Sequence, residues 1–273
     1  MAASSLHGTI LLVGAGKMGG ALIGGWLARG LDPSKIAVID PAPPPEVLKL
    51  LSERKIVRDP DPKSFSPDAI VLAVKPQSAA EIIPKIAAFV KPKTVVVSIM
   101  AGRTIASLEQ ALPAFAAVVR GMPNTPASIG RGITVAFANK RVDGMSRALA
   151  NDLLSAVGVV EWIDDERLID AVTAVSGSGP AYVFLLTECI AKAGVNAGLP
   201  ANLAMKLAHE TVAGSGELLH QSGLDASKLR ENVTSPGGTT AAALEILMGK
   251  DGLEALFTRA IAAATKRSRD LAG

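Results

Sequence analysis

The 273-residue sequence predicts two unlike halves, an α/β half built on a parallel sheet and an all-α half after it. Three observations predict this. Short runs of β-branched and aliphatic residues alternate with helical patterns as far as residue 163. A glycine-rich turn joins the first run to the first helix. From Asp165 onward no run reads as a strand, and the helices are too Ala-rich and apolar for one copy to cover them. The halves are expected at residues 1–164 and 165–273, with an obligate dimer formed through the second.

The first strand is residues 9–13. It enters Gly14-Ala15-Gly16-Lys17-Met18-Gly19, and an apolar helical pattern through Leu22, Ile23, Trp26 and Leu27 follows, closing at Gly30. A second strand, residues 35–39, ends at Asp40. A lone G-x-G-x-x-G is a weak signal. Here it follows a strand, opens a helix and has an acidic residue about 20 positions further on, which together make the dinucleotide fingerprint of a Rossmann domain. The first glycine makes the turn, the second admits the pyrophosphate, and the third lets helix and strand pack closely. A carboxylate at Asp40 suits the ribose hydroxyls of NAD and opposes a 2′-phosphate, so NADH, or use of both NADH and NADPH, is expected. Arg54 and Arg58 lie further on, where the sequence does not place them relative to Asp40.

Helix 45–54 precedes a turn-rich stretch, then come strand 69–74, helix 78–89, strand 94–99, a short helix, and strand 116–120. Ligands of parallel sheets sit beyond the carboxyl ends of strands. Val74, Lys75, Pro76, Ile99, Met100, Ala101, Asn124 and Thr125 fall at such ends and are expected to line the cofactor. Lys75 also reads as a solvated charge before a helix. Strands 133–137 and 159–163 flank helix 143–156.

The second half reads as helix 166–175, an interruption at Ser176-Gly177-Ser178-Gly179-Pro180, helix 180–195, helix 200–221, a short helix before residue 231, and helices 241–248 and 253–271. Between the short helix and helix 241–248 lies Thr234-Ser235-Pro236-Gly237-Gly238-Thr239-Thr240. This loop feeds a helix N-terminus, whose open N–H groups and dipole favour an anion such as a small carboxylate. Ser and Thr there read equally as ordinary helix caps.

Lys plus Arg number 28 and Asp plus Glu 25, with no basic block interleaved with aromatics, so nucleic acid is not an expected partner. The single cysteine, Cys189, lies in an apolar helical pattern and is expected to be buried; no disulfide or Cys-based metal site is expected. The three histidines show no ligand spacing, and no metal is expected. The start lacks a signal-peptide pattern, and no apolar run reaches membrane-span length free of Gly, Pro or charge, so a cytoplasmic protein with no membrane partner is expected.

From residue 10 to residue 271 the chain resembles pyrroline-5-carboxylate reductases. The resemblance is carried by Gly14 to Gly19, Ala73-Val74-Lys75-Pro76-Gln77 and Met122-Pro123-Asn124-Thr125-Pro126. Its most specific carriers are Asp170-Ala171-Val172-Thr173, Ser176-Gly177-Ser178-Gly179-Pro180-Ala181-Tyr182 and Asn232 through Thr240. It implies NAD(P)H-dependent reduction of 1-pyrroline-5-carboxylate to L-proline, and a helical dimerisation domain whose dimers in many members gather into rings. It implies cofactor contacts from Ala15, Lys17, Met18, Asp40, Ala42, Ala73, Val74, Lys75, Pro76, Ile99, Met100 and Ala101. Glu166, Asn232, Thr239 and Thr240 are implied around the substrate. Many members carry a small polar residue where this chain has Asp40, which bears on the usual NADPH preference. Some carry a glutamate where this chain has Gly223.

The chemistry suits a carboxylate-bearing cyclic imine. Loop N–H groups would hold the carboxylate and Thr240 the ring nitrogen. Two other readings exist. A β-hydroxyacid dehydrogenase shares the G-x-G-x-M-G opening but resembles its own family in a lysine four residues after a Gly-rich segment, where this chain has Val183 after Gly179. A dinucleotide-sensing scaffold would have no use for the Ser235–Thr240 loop.

Overall fold

Residues 6–272 are described by a computed structural model. The opening expectation about targeting rests largely on residues 1–5, outside the described residues. In chain order the α/β part runs β1 (Ile10–Val13), α1 (Lys17–Ala28), β2 (Ile36–Ile39), α2 (Pro45–Glu53), β3 (Val57–Arg58), β4 (Ala69–Leu72) and α3 (Ala79–Ile86). It continues with β5 (Val95–Ser98), α4 (Ile105–Glu109), β6 (Ala117–Met122), β7 (Gly132–Ala138), α5 (Gly144–Ser155) and β8 (Gly158–Trp162). The sheet order is β3-β2-β1-β4-β5-β6-β7-β8. The first six strands in this order are parallel and reproduce the doubly wound order 3-2-1-4-5-6. Then β7 turns back antiparallel to β6, the geometry a short connection permits, and β8 runs parallel to β7.

Alternate residues of the strands feed two apolar layers, one on each face. Ile10 and Leu12 of β1 pack with Leu22, Ile23 and Trp26 of α1 and Leu153 of α5. Leu11 and Val13 pack with Ile83 and Ile86 of α3 and Leu108 of α4. Burial on both faces is why these strands read as continuous apolar runs and not as alternating ones. Trp26, fully buried, donates its indole N–H to the Leu153 carbonyl at 2.9 Å, which locks α1 to α5.

After β8 the chain is helical: α6 (Ile169–Val172), α7 (Gly179–Asn196), α8 (Ala201–Ser222), α9 (Ala226–Asn232), α10 (Thr239–Leu247) and α11 (Leu253–Ala272). The interruption expected at residues 176–180 is not a break. Residues Thr173–Gly177 form a π-helical turn that carries α6 into α7, and Pro180 sits in the first turn of α7, where its missing N–H costs nothing.

The chain divides into two compact units, residues up to Gly177 together with those from Thr265 on, and Ser178–Ala264. In the first, Ser268 donates to Asp170 at 2.7 Å. In the second, α7 and α8 form a helical hairpin. Gly194 lies close enough to α8 that a Cβ there would meet Ala204 Cβ at 3.3 Å. Within Ser178–Ala264 only Ala191, Ala204 and Ala208 are buried among the described residues, while Phe184 is 63% and Ile246 78% exposed. Cys189 is exposed as well, contrary to expectation, because it lies on a helix that this unit leaves largely uncovered. By length and composition alone the continuous stretch Glu166–Asn196 would cross a bilayer, yet it carries Glu166, Asp170, Glu188 and Lys192.

Candidate active site

The turn after β1 has the shape the fingerprint requires. Gly14 takes φ 93°, donates its N–H to the Ile39 carbonyl at 2.9 Å, and lies so near β4 that a Cβ would meet Val74 Cγ1 at 2.7 Å. A Cβ on Gly19 would stand 2.2 Å from the Gly14 carbonyl oxygen, so that glycine fixes the contact of helix and turn. Gly16 differs: a Cβ there would meet nothing within 4 Å. Its open side, with the N-terminus of α1 uncapped by any side chain, is the space a pyrophosphate needs. The residues present therefore fit a nicotinamide dinucleotide.

Asp40 stands at the end of β2 and spans the turn. Its Oδ2 accepts the Ala15 N–H at 2.6 Å and its Oδ1 the Ala42 N–H at 2.8 Å. Ala15 is fully buried, and Lys17, at the start of α1, is exposed. The structure thus brings Ala15, Asp40 and Ala42 together with the glycines.

Beyond β4 and β5 the expected lining falls on two loops. Ala73 donates its N–H to the Val13 carbonyl at 2.8 Å, and Val74 reaches Gly14. Lys75 precedes a 3-10 turn opened by Pro76. The Pro76 carbonyl accepts from Arg103 Nε at 3.2 Å and Nη2 at 2.9 Å, which ties the β4 loop to the loop after β5. There, Ile99 donates its N–H to the Leu72 carbonyl at 3.0 Å, Met100 is buried and Ala101 is exposed. The Asn124 side chain accepts the Ile133 N–H at 3.0 Å and so fixes the turn into β7.

Glu166 lies in a 3-10 turn before α6. Its Oε1 accepts from Arg120 Nη1 at 2.7 Å and from the Ile105 N–H at 2.8 Å. The Arg120 side chain is 6% and that of Glu166 23% exposed. One carboxylate thus joins β6, the start of α4 and the turn before α6. Next to it, Arg167 hydrogen-bonds Asp165 and holds that carboxyl below the usual carboxylate range.

The helical unit carries the loop that runs from α9 into α10. Asn232 ends α9, and Thr239 and Thr240 open α10. Between them Gly237 takes φ 69°, and Gly238 donates its N–H to the Ser235 carbonyl at 3.1 Å. A Cβ on Gly238 would meet Ser235 Oγ at 2.5 Å, so the turn closes on itself. Gly238 caps the nine-residue α10 without a side-chain bond.

Sequence reading missed Arg103 and Arg120. Arg120 ends an apolar run, and the only signal was a charge among residues otherwise expected to be buried.

A Rossmann glycine turn with a carboxylate at the end of the second strand, followed in one chain by a helical half, is an architecture used by nicotinamide-dependent oxidoreductases. Comparison with known proteins narrows the class. Residues 166–271 match the family model described as pyrroline-5-carboxylate reductase dimerisation. Residues 9–102 match one described as NADP oxidoreductase, coenzyme F420-dependent. A pyrroline-5-carboxylate reductase of Pseudomonas aeruginosa is 42% identical over 265 residues, covering 96% of each chain. The structure of one from Coxiella burnetii superposes with a TM-score of 0.89 at 33% identity, covering 97% of this chain and 98% of that one. A Plasmodium falciparum pyrroline carboxylate reductase with NADP bound gives 0.80 at 28% identity, covering 99% and 100%. The chain belongs to the pyrroline-5-carboxylate reductase family. Its helical half is the family's dimerisation region, which supports a homodimer.

Proposed function

We propose that the chain reduces the cyclic imine 1-pyrroline-5-carboxylate to L-proline with hydride from NAD(P)H, the last step of proline biosynthesis. The observation that carries this is family membership along nearly the whole chain.

Residues 1–164 are the dinucleotide-binding domain and 165–273 the dimerisation and substrate-binding domain in this reading. Gly14, Gly16 and Gly19 shape the cofactor turn, with Ala15, Lys17, Met18, Asp40 and Ala42 at the pyrophosphate and ribose. Ala73, Val74, Lys75, Pro76, Ile99, Met100 and Ala101 serve the nicotinamide end. When bound, the reduced nicotinamide supplies the hydride. The first-turn N–H groups of α10 hold the substrate carboxylate, which fixes the ring by one end. Asn232 and Thr239 flank it. The Thr240 hydroxyl hydrogen-bonds the ring nitrogen and sets the plane of the C=N bond. A threonine hydroxyl is too weak an acid to protonate the imine, so the proton on nitrogen comes from solvent. Hydride adds to the carbon as the C=N π pair moves onto nitrogen, giving the amine. With Glu166 Oε1 committed to Arg120 and Ile105, any substrate contact of that residue falls to Oε2.

The same reading makes the protein cytoplasmic and gathers its dimers into a ring. Sedimentation that finds only free dimers would sink the ring without touching the chemistry.

The test is loss of absorbance at 340 nm with pyrroline-5-carboxylate, NADH and NADPH run in parallel. Rapid oxidation of at least one cofactor is expected. Cofactor binding with no oxidation of either would overturn the substrate assignment and favour another imine or a scaffold.

A further inference from the structure

The two-residue strand β3 pairs with β2 so that Arg58 stands opposite Val38. The chain turns sharply at the next residue, where Asp59 takes φ 48° and donates its N–H to the Val38 carbonyl at 2.9 Å. This register brings Arg58 Nη2 to 3.3 Å from the carbonyl oxygen of Asp40. A guanidinium therefore lies at the carboxyl end of β2, where the adenosine ribose of a dinucleotide sits in folds of this kind. Arg58 is exposed, and among the described residues it forms no salt bridge that would account for its position.

Asp40 would ordinarily oppose a 2′-phosphate. Here each of its oxygens already accepts a backbone N–H, from Ala15 and from Ala42. Those bonds spread its charge onto the peptide units and hold it against the glycine turn. Each oxygen keeps a second lone pair, so contact with ribose hydroxyls survives. The guanidinium fork matches a phosphate's geometry, with paired N–H donors for two of its oxygens.

We propose that Arg58 is the ligand of the 2′-phosphate of NADPH. The chain then accepts both dinucleotides, and Arg58 sets the discrimination between them. The inference rests on reading the Gly14–Gly19 turn as the dinucleotide cradle.

Calorimetric titration of the intact protein with adenosine 2′,5′-bisphosphate and with 5′-AMP tests it without turnover. The native protein should bind the bisphosphate at least as tightly as AMP. Arg58→Gln should weaken the bisphosphate at least about tenfold while AMP stays within about twofold, since one charge-assisted contact is lost. Arg58→Lys should recover part of the loss. Arg54→Gln, which alters the other arginine of this stretch, should change neither. An unchanged bisphosphate affinity in Arg58→Gln, or equal loss of both probes, would overturn the role of Arg58 and leave the cradle standing. Failure of the native protein to bind either probe would overturn both.

Discussion

Arg120 and Glu166 are separated by 46 positions and meet at 2.7 Å. Breaking a buried pair by removing one partner is costly because the other charge stays unpaired. Glu166 retains the Ile105 N–H and some solvent, which softens the loss. Arg120→Met should therefore lower unfolding free energy by about 3 kcal/mol, read from denaturant midpoints at fixed protein concentration. A loss below about 1 kcal/mol would put the pair among ordinary surface ion pairs. Thr240 makes the opposite prediction. Thr240→Ala should leave thermal stability nearly unchanged and reduce kcat about 10- to 1,000-fold, as loss of one positioned donor does. Steady-state kinetics with native kcat/KM would remove Thr240 from the reaction. The loop holding Thr240 was legible because its glycines, proline and threonines are local signals. The Arg120–Glu166 pair was not, since no local pattern says which distant carboxylate meets a charge at a strand end.

At the scale of elements, the glycine turn separates two effects that usually travel together. Gly19→Ala places a methyl 2.2 Å from a backbone oxygen, so helix or turn must shift. It should cost about 2 kcal/mol or more in stability along with cofactor affinity. Gly16→Ala meets no protein atom within 4 Å. It should fold with stability within about 0.5 kcal/mol of native and weaken NADPH binding at least about tenfold, because the methyl occupies the ligand's space. Fluorescence titration beside a melting curve checks both; normal cofactor affinity in Gly16→Ala would contradict the cradle. Strand and helix order was legible here through unbroken apolar runs and strand-end glycines. Strand β3 escaped because two exposed residues carry no period. Thr173–Gly177 escaped as well: Gly and Pro look like a break in the sequence, whereas the backbone takes Gly177 into a widened turn and Pro180 into the first turn of α7.

For the whole molecule, the exposed apolar face of the helical half demands a partner. Light scattering at micromolar concentration should give a dimer or a multiple of it, and Phe184→Asp should shift the population toward monomer. A native monomer at that concentration would leave Phe184, Leu185 and Ile246 in water without reason. The two-part architecture was legible from the loss of strand patterns near residue 164. The antiparallel β7 was not, because strand direction is set by how the chain returns and not by residue type.

The ends of the sheet carry a consequence for the newly made chain, before it has found its twin. On one side β3 offers only two residues, one of them Arg58. On the other, β8 carries Glu161, and Trp162 lies under the Arg147 guanidinium at 4.2 Å. Neither border invites a foreign strand to add on. A nascent subunit that strays should therefore aggregate through its sticky helices, giving amorphous and dissolvable clumps instead of fibrils.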